Sequence, residues 1–228
     1  KFLCELRDNG RTASDFRLQP GRHTYSVRMK DAEWSEIYAK FRKRSNFKRL
    51  FFDIEISPNL IYSFRTGYNI NITYENIIDP WRVICIAYKW EGDDKVYCIS
   101  WDKETLSDKQ LLLDFIQTAN TADEIVAHNG DKFDIRKLRT RCIYHRIPMF
   151  PKYQSLDTWK KSKDNFSFIS NSLNAIANYL GLGSKLSHEG FNLWVKCMHK
   201  NPEALKTMMD YCKQDVALLE DVYMVLQP

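Results

Sequence analysis

Apolar and polar positions divide the chain into two regions with different periodicities. In residues 2–18 apolar side chains recur at helical spacing, interrupted by Asp8-Asn9-Gly10, which predicts two short helices and a turn, a candidate helix-turn-helix. Asp31 then stands where it could cap a helix with Trp34, Ile37, Tyr38 and Phe41 on one face, ending in Lys40-Phe41-Arg42-Lys43-Arg44, with Ser45-Asn46 as its exit. From Lys48 onward the pattern changes. Segments rich in Ile, Val, Phe and Tyr and bounded by turn residues predict strands over 49–56, 82–90 and 95–101, with Glu91-Gly92-Asp93-Asp94 as a hairpin turn between the last two. A helix over 107–120, a strand over 124–128, a helix over 133–146 and a strand over 153–158 follow in alternation. The remainder reads as helical, over 170–180 and again from Pro202 to Leu226, where Asn201 is the expected cap and Pro202 the first helical residue. This order predicts an α/β body, residues 48–228, with helices on the faces of a mixed sheet, preceded by a small appendage, residues 1–47.

Composition narrows the class. Of 228 residues 44% are hydrophobic and 28% charged, with only 8 Gly and 7 Pro, which excludes disordered, collagen-like and low-complexity chains. The longest charge-free run, residues 165–184, is full of Ser and Asn, so no segment reads as a membrane-spanning helix and no membrane partner is expected. The six cysteines (Cys4, Cys85, Cys98, Cys142, Cys197 and Cys212) form no C-x-x-C pair and no signal peptide precedes them, which predicts a reducing, cytoplasmic setting, the nucleoid or a phage-infected cell included. A start at Lys1 is expected of an internal fragment or a processed chain with neighbouring domains. Charge is uneven: residues 1–49 hold 13 Lys/Arg against 6 Asp/Glu, and residues 50–228 hold 21 against 23. A basic appendage on a slightly acidic body points to a polyanion such as nucleic acid, the alternative being a solvated surface.

Four acids carry the candidate chemistry. Phe51-Phe52-Asp53-Ile54-Glu55-Ile56 puts two carboxylates at alternate positions of an apolar strand, hence on one face, with Ile54 and Ile56 on the other. Two like charges so placed are costly to bury unless a cation compensates them, although at an exposed sheet edge they would merely be solvated. Asp134 follows the polar loop His128-Asn129-Gly130-Asp131-Lys132-Phe133 and opens a helix, where the dipole alone would favour an acid. Tyr211 and Asp215 share a helix face at i, i+4, which also fits a tyrosine packed above an exposed acid. The set is more specific than its members, because 79 residues from Glu55 to Asp134 and 81 from there to Asp215 fit a strand, a loop-helix and a C-terminal helix of one domain.

In the order D-x-E, N-x-x-x-F-D, Y-x-x-x-D, residues 48–227 resemble the exonuclease domains of the DEDD superfamily, and the tyrosine marks the DEDDy branch. Tyr211-Cys212-x-x-Asp215-Val216, and Ser172-Leu173 running on to Leu180-Gly181, look most like the proofreading exonuclease of family-B DNA polymerases and its stand-alone phage and bacterial relatives. The resemblance does not reach residues 1–47. It implies a ribonuclease H-like fold and a 3′→5′ exonuclease, with Asn129 and Phe133 positioning the terminal nucleotide by hydrogen bonding and by packing. Ile56 stands where the family has threonine, which removes a hydroxyl near the terminal nucleotide and leaves all four acids in place.

Four carboxylates without a convergent His/Cys set favour hard cations, so two Mg²⁺ or Mn²⁺ ions are expected. Placed about 4 Å apart they would bracket a scissile phosphate, with Asp53 bridging, Glu55 and Asp215 on one side and Asp134 on the other. Tyr211, with an ordinary pKa near 10, would orient the attacking water. Other features carry less. Gly181-Leu182-Gly183-Ser184-Lys185 lacks P-loop spacing, Cys142 and His145 read as packing, and Asp157 reads as a cap before Thr158-Trp159. The expectation is therefore an exonuclease on single-stranded or frayed DNA, in contact with a neighbouring domain or a polymerase or replication partner. An RNA-trimming exonuclease like ribonuclease D would use the same carboxylates, and a non-cleaving nucleic-acid-binding module is disfavoured by their intactness.

Overall fold

The structure, a computed structural model, describes residues 47–149, 153–184 and 189–227. The candidate helix-turn-helix and basic helix of the appendage, and Lys185, lie outside the described residues. Seven strands and six helices are described: β1 (Arg49–Ile56), β2 (Leu60–Ile61), β3 (Ile77–Asp79), β4 (Val83–Trp90), β5 (Tyr97–Ser100), α1 (Lys109–Ala119), β6 (Glu124–Ala127), α2 (Asp134–His145), β7 (Ser155–Asp157), α3 (Thr158–Asn165), α4 (Leu173–Tyr179), α5 (Asn192–Met198) and α6 (Pro202–Leu226).

Five strands make a mixed sheet in the order β5-β4-β1-β6-β7. β1 and β4 are antiparallel, as are β4 and β5, whereas β6 runs parallel to β1 and β7 parallel to β6. The expected mixed sheet with helices on its faces is thus what forms. Central β1 alternates between two cores, as a period of two requires. Phe52 and Ile54 join Leu111, Leu112 and Phe115 of α1 and Leu138 of α2 on one face. Phe51 joins Met208, Cys212, Val216 and Tyr223 of α6, with Ile176 of α4 and Leu193 of α5, on the other. Rings lock both faces: Phe52 meets Phe115 at 5.2 Å, and Phe51 meets Tyr223 edge-on at 5.0 Å. Asp53 and Glu55 share the Phe51 face and so look toward α6.

Local chemistry sets the element ends. Asn201 accepts the Ala204 N–H at 2.9 Å and Pro202 opens α6, as its sequence predicts. Ser172 caps α4 through the Ala175 N–H. Helix α1 begins later than its pattern suggests because the Asp108 side chain is drawn away, to the Val83 N–H at 3.0 Å and to Arg141 at 2.7 and 2.8 Å. His145 closes the same cluster at 2.6 Å from Asp108, while Cys142 packs in the core. Between β1 and β4 the chain leaves the sheet and forms an arm built on the short pair β2–β3.

Candidate active site

Strand β1 supplies the first two acids, and helix α6 lies across them. Carboxylate oxygens of Asp53, Glu55 and Asp215 all fall within 4.8 Å of one another, and Asp215 is buried. At that separation, with an effective dielectric near 20, each pair of ionised carboxylates repels by about 3 kcal/mol. A divalent cation bound by hard oxygen donors reverses that term, so the donor set fits Mg²⁺ or Mn²⁺ rather than a soft metal. One turn earlier on α6, Tyr211 is also buried. Its neighbour Cys212 places its sulfur 3.5 Å from the Asp53 carbonyl and 3.7 Å from Asp53 Oδ2. Burial pushes the Cys212 thiol well above the usual thiol range, so it stays protonated and donates to Asp53.

Asp134 arrives from the opposite direction. The parallel ladder between β1 and β6 ends at Phe51 and Val126, and beyond it the Ile54 N–H donates to Asp134 Oδ1 at 3.3 Å. Asp134 is thereby anchored to β1 between the two strand acids. Its burial raises the carboxyl pKa to about 7 against the opposing pull of its own and the Ile54 N–H, with the Asp157 charge adding to the rise. A cation nearby would hold it ionised instead. Asp134 is not in the mutual 4.8 Å group, so the four acids divide into a set of three and one flanking member.

The loop between β6 and α2 carries the two expected nucleotide contacts. Asn129 adopts a left-handed backbone (φ 64°), which Asn tolerates better than most residues, and its carbonyl accepts the N–H groups of Lys132 and Phe133. Next to it only glycine fits, because a Cβ on Gly130 would lie 2.4 Å from the Ala127 Cβ. Phe133 is 39% exposed, leaving a ring face for a ligand. Asp157, at the end of β7, does more than the helix capping its sequence predicts. It accepts from Trp159 and Lys160 at the start of α3 and from Asn129 (2.8 Å) and Asp131 (3.3 Å) in the loop. His128 is held at both ring nitrogens, by Thr158 Oγ1 at 2.9 Å and the Asn171 carbonyl at 2.8 Å. Nothing in the sequence pattern singles out His128 or the loop contacts of Asp157. Their signal is tertiary.

Comparison with known proteins supports the fold. The family model of the RNase_H superfamily (RNase_H_2) matches residues 79–227. Among solved structures, the family B DNA polymerase from the hyperthermophilic archaeon Pyrobaculum calidifontis is similar, with a TM-score of 0.59 at 19% identity over 80% of this chain. The chain spans 25% of that polymerase's length. No curated protein matches it. The match covers well over half of the sequence and agrees with a mixed sheet flanked by helices, so the chain belongs to the RNase H superfamily.

Proposed function

We propose that the protein is a metal-dependent 3′→5′ exonuclease of the DEDDy type, acting on DNA single strands or frayed ends. The observation that carries this reading is the convergence of Asp53 and Glu55 from β1 with Asp215 from α6, beside Tyr211 and within reach of the strand to which Asp134 is anchored. The RNase H-like fold supports a nuclease-type hydrolase, and nucleases of this fold usually use divalent metals. That a structural neighbour is a DNA polymerase favours DNA and a link to a polymerase or replication partner.

Asp53, Glu55, Asp134 and Asp215 would hold two Mg²⁺ or Mn²⁺ ions, which when bound supply a more acidic water and charge stabilisation for the departing 3′ oxygen. Asp53, on central β1 beside Glu55 and Asp215, would be one of the ligands. The Tyr211 hydroxyl would orient the attacking water by hydrogen bonding. Asn129 binds the terminal nucleotide through its side-chain amide, and Phe133 packs on its sugar or base without reading its identity. Ile56 packs with Phe52 and Ile54 against the core on the other face of β1.

Digestion of matched DNA and RNA oligonucleotides carrying a 5′ label, with Mg²⁺ or Mn²⁺, tests the reading. The expected result is a DNA ladder shortened from the 3′ end and abolished by chelator. RNA shortened at an equal or greater rate would instead identify a ribonuclease.

A further inference from the structure

Residues 57–82 form an arm that the sheet does not need for its core. It leaves at Ser57, immediately after the strand of Asp53 and Glu55, and returns at Arg82 into β4. Its neck is closed by Ser57 N–H to the Arg82 carbonyl (2.8 Å), Arg82 N–H to Ser57 Oγ (2.9 Å) and Trp81 N–H to Asn59 Oδ1 (2.9 Å). Farther out, Tyr62 and Asn76 are tied by two hydrogen bonds of 3.0 Å, so the arm is structured beyond its strand pair. Yet its rings face water: Phe64 and Tyr68 are fully exposed, and Tyr62 and Tyr74 are 70% and 84% exposed. Burying a Phe side chain is worth about 1.5–3 kcal/mol, so several large rings held out on one arm are anomalous for a surface with no ligand.

The arm is continuous with the candidate site on two sides. Its first residue follows β1 directly, and its neck residue Trp81 packs under Lys137 of α2, whose ammonium lies 3.9 Å from the Trp81 ring and 5.6 Å from the Phe133 ring. Trp81, Lys137 and Phe133 thus run from the arm's root to the residue preceding Asp134. The arm's charges are sparse: Arg82 is paired with Asp79, leaving Arg65 and Glu75 among Asn, Ser, Thr and aromatic side chains. Aromatic rings separated by small polar residues suit the stacked faces of unpaired bases, which bind without regard to sequence.

We propose that the arm is a stacking platform for the unpaired nucleobases of the DNA strand whose 3′ end enters the carboxylate site. This rests on the exonuclease reading for the identity of the strand. The arm grips bases several nucleotides from the end, and Arg65 contacts the intervening backbone.

The test compares the wild-type protein with a variant combining Phe64→Ala and Tyr68→Ala, both positions fully exposed. Fluorescence anisotropy in EDTA follows binding of two labelled 12-nucleotide strands of equal charge: oligothymidylate, and the same strand with abasic residues everywhere except the last two 3′ positions. Hydrolysis of the p-nitrophenyl ester of thymidine 5′-monophosphate with Mn²⁺ is measured in parallel, since it needs the carboxylates and not the arm. Wild-type protein is expected to bind the base-bearing strand roughly tenfold or more tightly than the abasic one, and the variant to lose that preference while hydrolysing the ester at the wild-type rate. Equal affinity of the wild type for both strands, or an undiminished preference in the variant, overturns the proposal. Base-dependent binding through the arm in a wild-type protein that cannot hydrolyse the ester would support the platform and contradict the exonuclease reading.

Discussion

Asp134 Oδ1 accepts the backbone N–H of Ile54 at 3.3 Å, so the acid that opens α2 is fastened to the strand residue lying between Asp53 and Glu55. Three sequence segments some 80 residues apart are registered by such contacts. The sheet places Asp53 and Glu55, the unpaired end of the β1–β6 ladder receives Asp134, and the packing of α6 over Phe51 delivers Tyr211 and Asp215.

Tyr211→Phe is expected to slow cleavage by about ten- to a hundredfold at saturating metal, less than removal of any carboxylate, because on the proposed mechanism the phenol would orient a water whose acidity comes from the cation. Single-turnover rates of Tyr211→Phe and Asp215→Asn measured side by side check the order. A loss in the phenylalanine variant equal to that in the asparagine variant would contradict this division of labour.

Asp157→Ala is expected to free the Asn129 and Asp131 N–H groups and uncap α3 together, destabilising the protein by about 2–4 kcal/mol. The same variant should raise KM and lower kcat together, since the loop it releases would position the terminal nucleotide and leads directly into Asp134. Denaturant unfolding and steady-state kinetics on one oligonucleotide check both parts.

Asp108 supplies a pH dependence away from the site. Burial would raise its carboxyl pKa, but the Arg141 guanidinium, the Val83 N–H and His145 outweigh burial and hold it below the ordinary 3.8. A depressed native pKa means that the unfolded chain takes up the proton first. This contribution to stability is complete at neutral pH and is lost as the pH falls from about 4 through the native value. Asp108→Asn should flatten that acid limb and cost about 3–5 kcal/mol at pH 7, because Arg141 is left buried without its partner. Thermal melts of both proteins from pH 3 to 7 provide the measurement.

The basic excess in the first 49 residues is expected to make affinity separable from chemistry. Deleting residues 1–47 should weaken nucleic-acid binding and flatten its salt dependence, by about 0.7–0.9 in log–log slope for each phosphate that is no longer neutralised. Single-turnover cleavage at saturating protein should change little. Binding titrations of both proteins over a salt series give the slopes, and equal slopes would mean that the appendage does not bind the phosphates.

Legibility of this fold from sequence followed the range of the interaction. Strand β1 and helix α6 were readable because alternation, an Asn cap and an N1 proline are local signals. Of helix α3 only the Asp157 cap was, since four of its eight residues are charged and no apolar period marks its body; it forms because Asp157 caps it and Thr158 and Ser162 are buried. The arm was not legible either, because strands of two and three residues are too short to show a period. Asp53-x-Glu55 showed that both acids share a face, but what covers that face was tertiary information. So was the diversion of Asp108 to Val83 and Arg141, which shortened α1.

Single-turnover digestion of a single-stranded DNA oligonucleotide carrying a 5′ label, by wild type, Asp53→Asn and Asp215→Asn with Mg²⁺, tests the central assignment most directly. Losing several kcal/mol of cation-dependent stabilisation corresponds to a rate loss of at least about a thousandfold. The expected outcome is a ladder shortening from the 3′ end for the wild type and that loss in both variants, with melting temperatures in EDTA no lower than the wild type's because a repelling carboxylate has been removed. Wild-type rates in either correctly folded variant, or release of the labelled 5′ nucleotide first, would contradict the assignment.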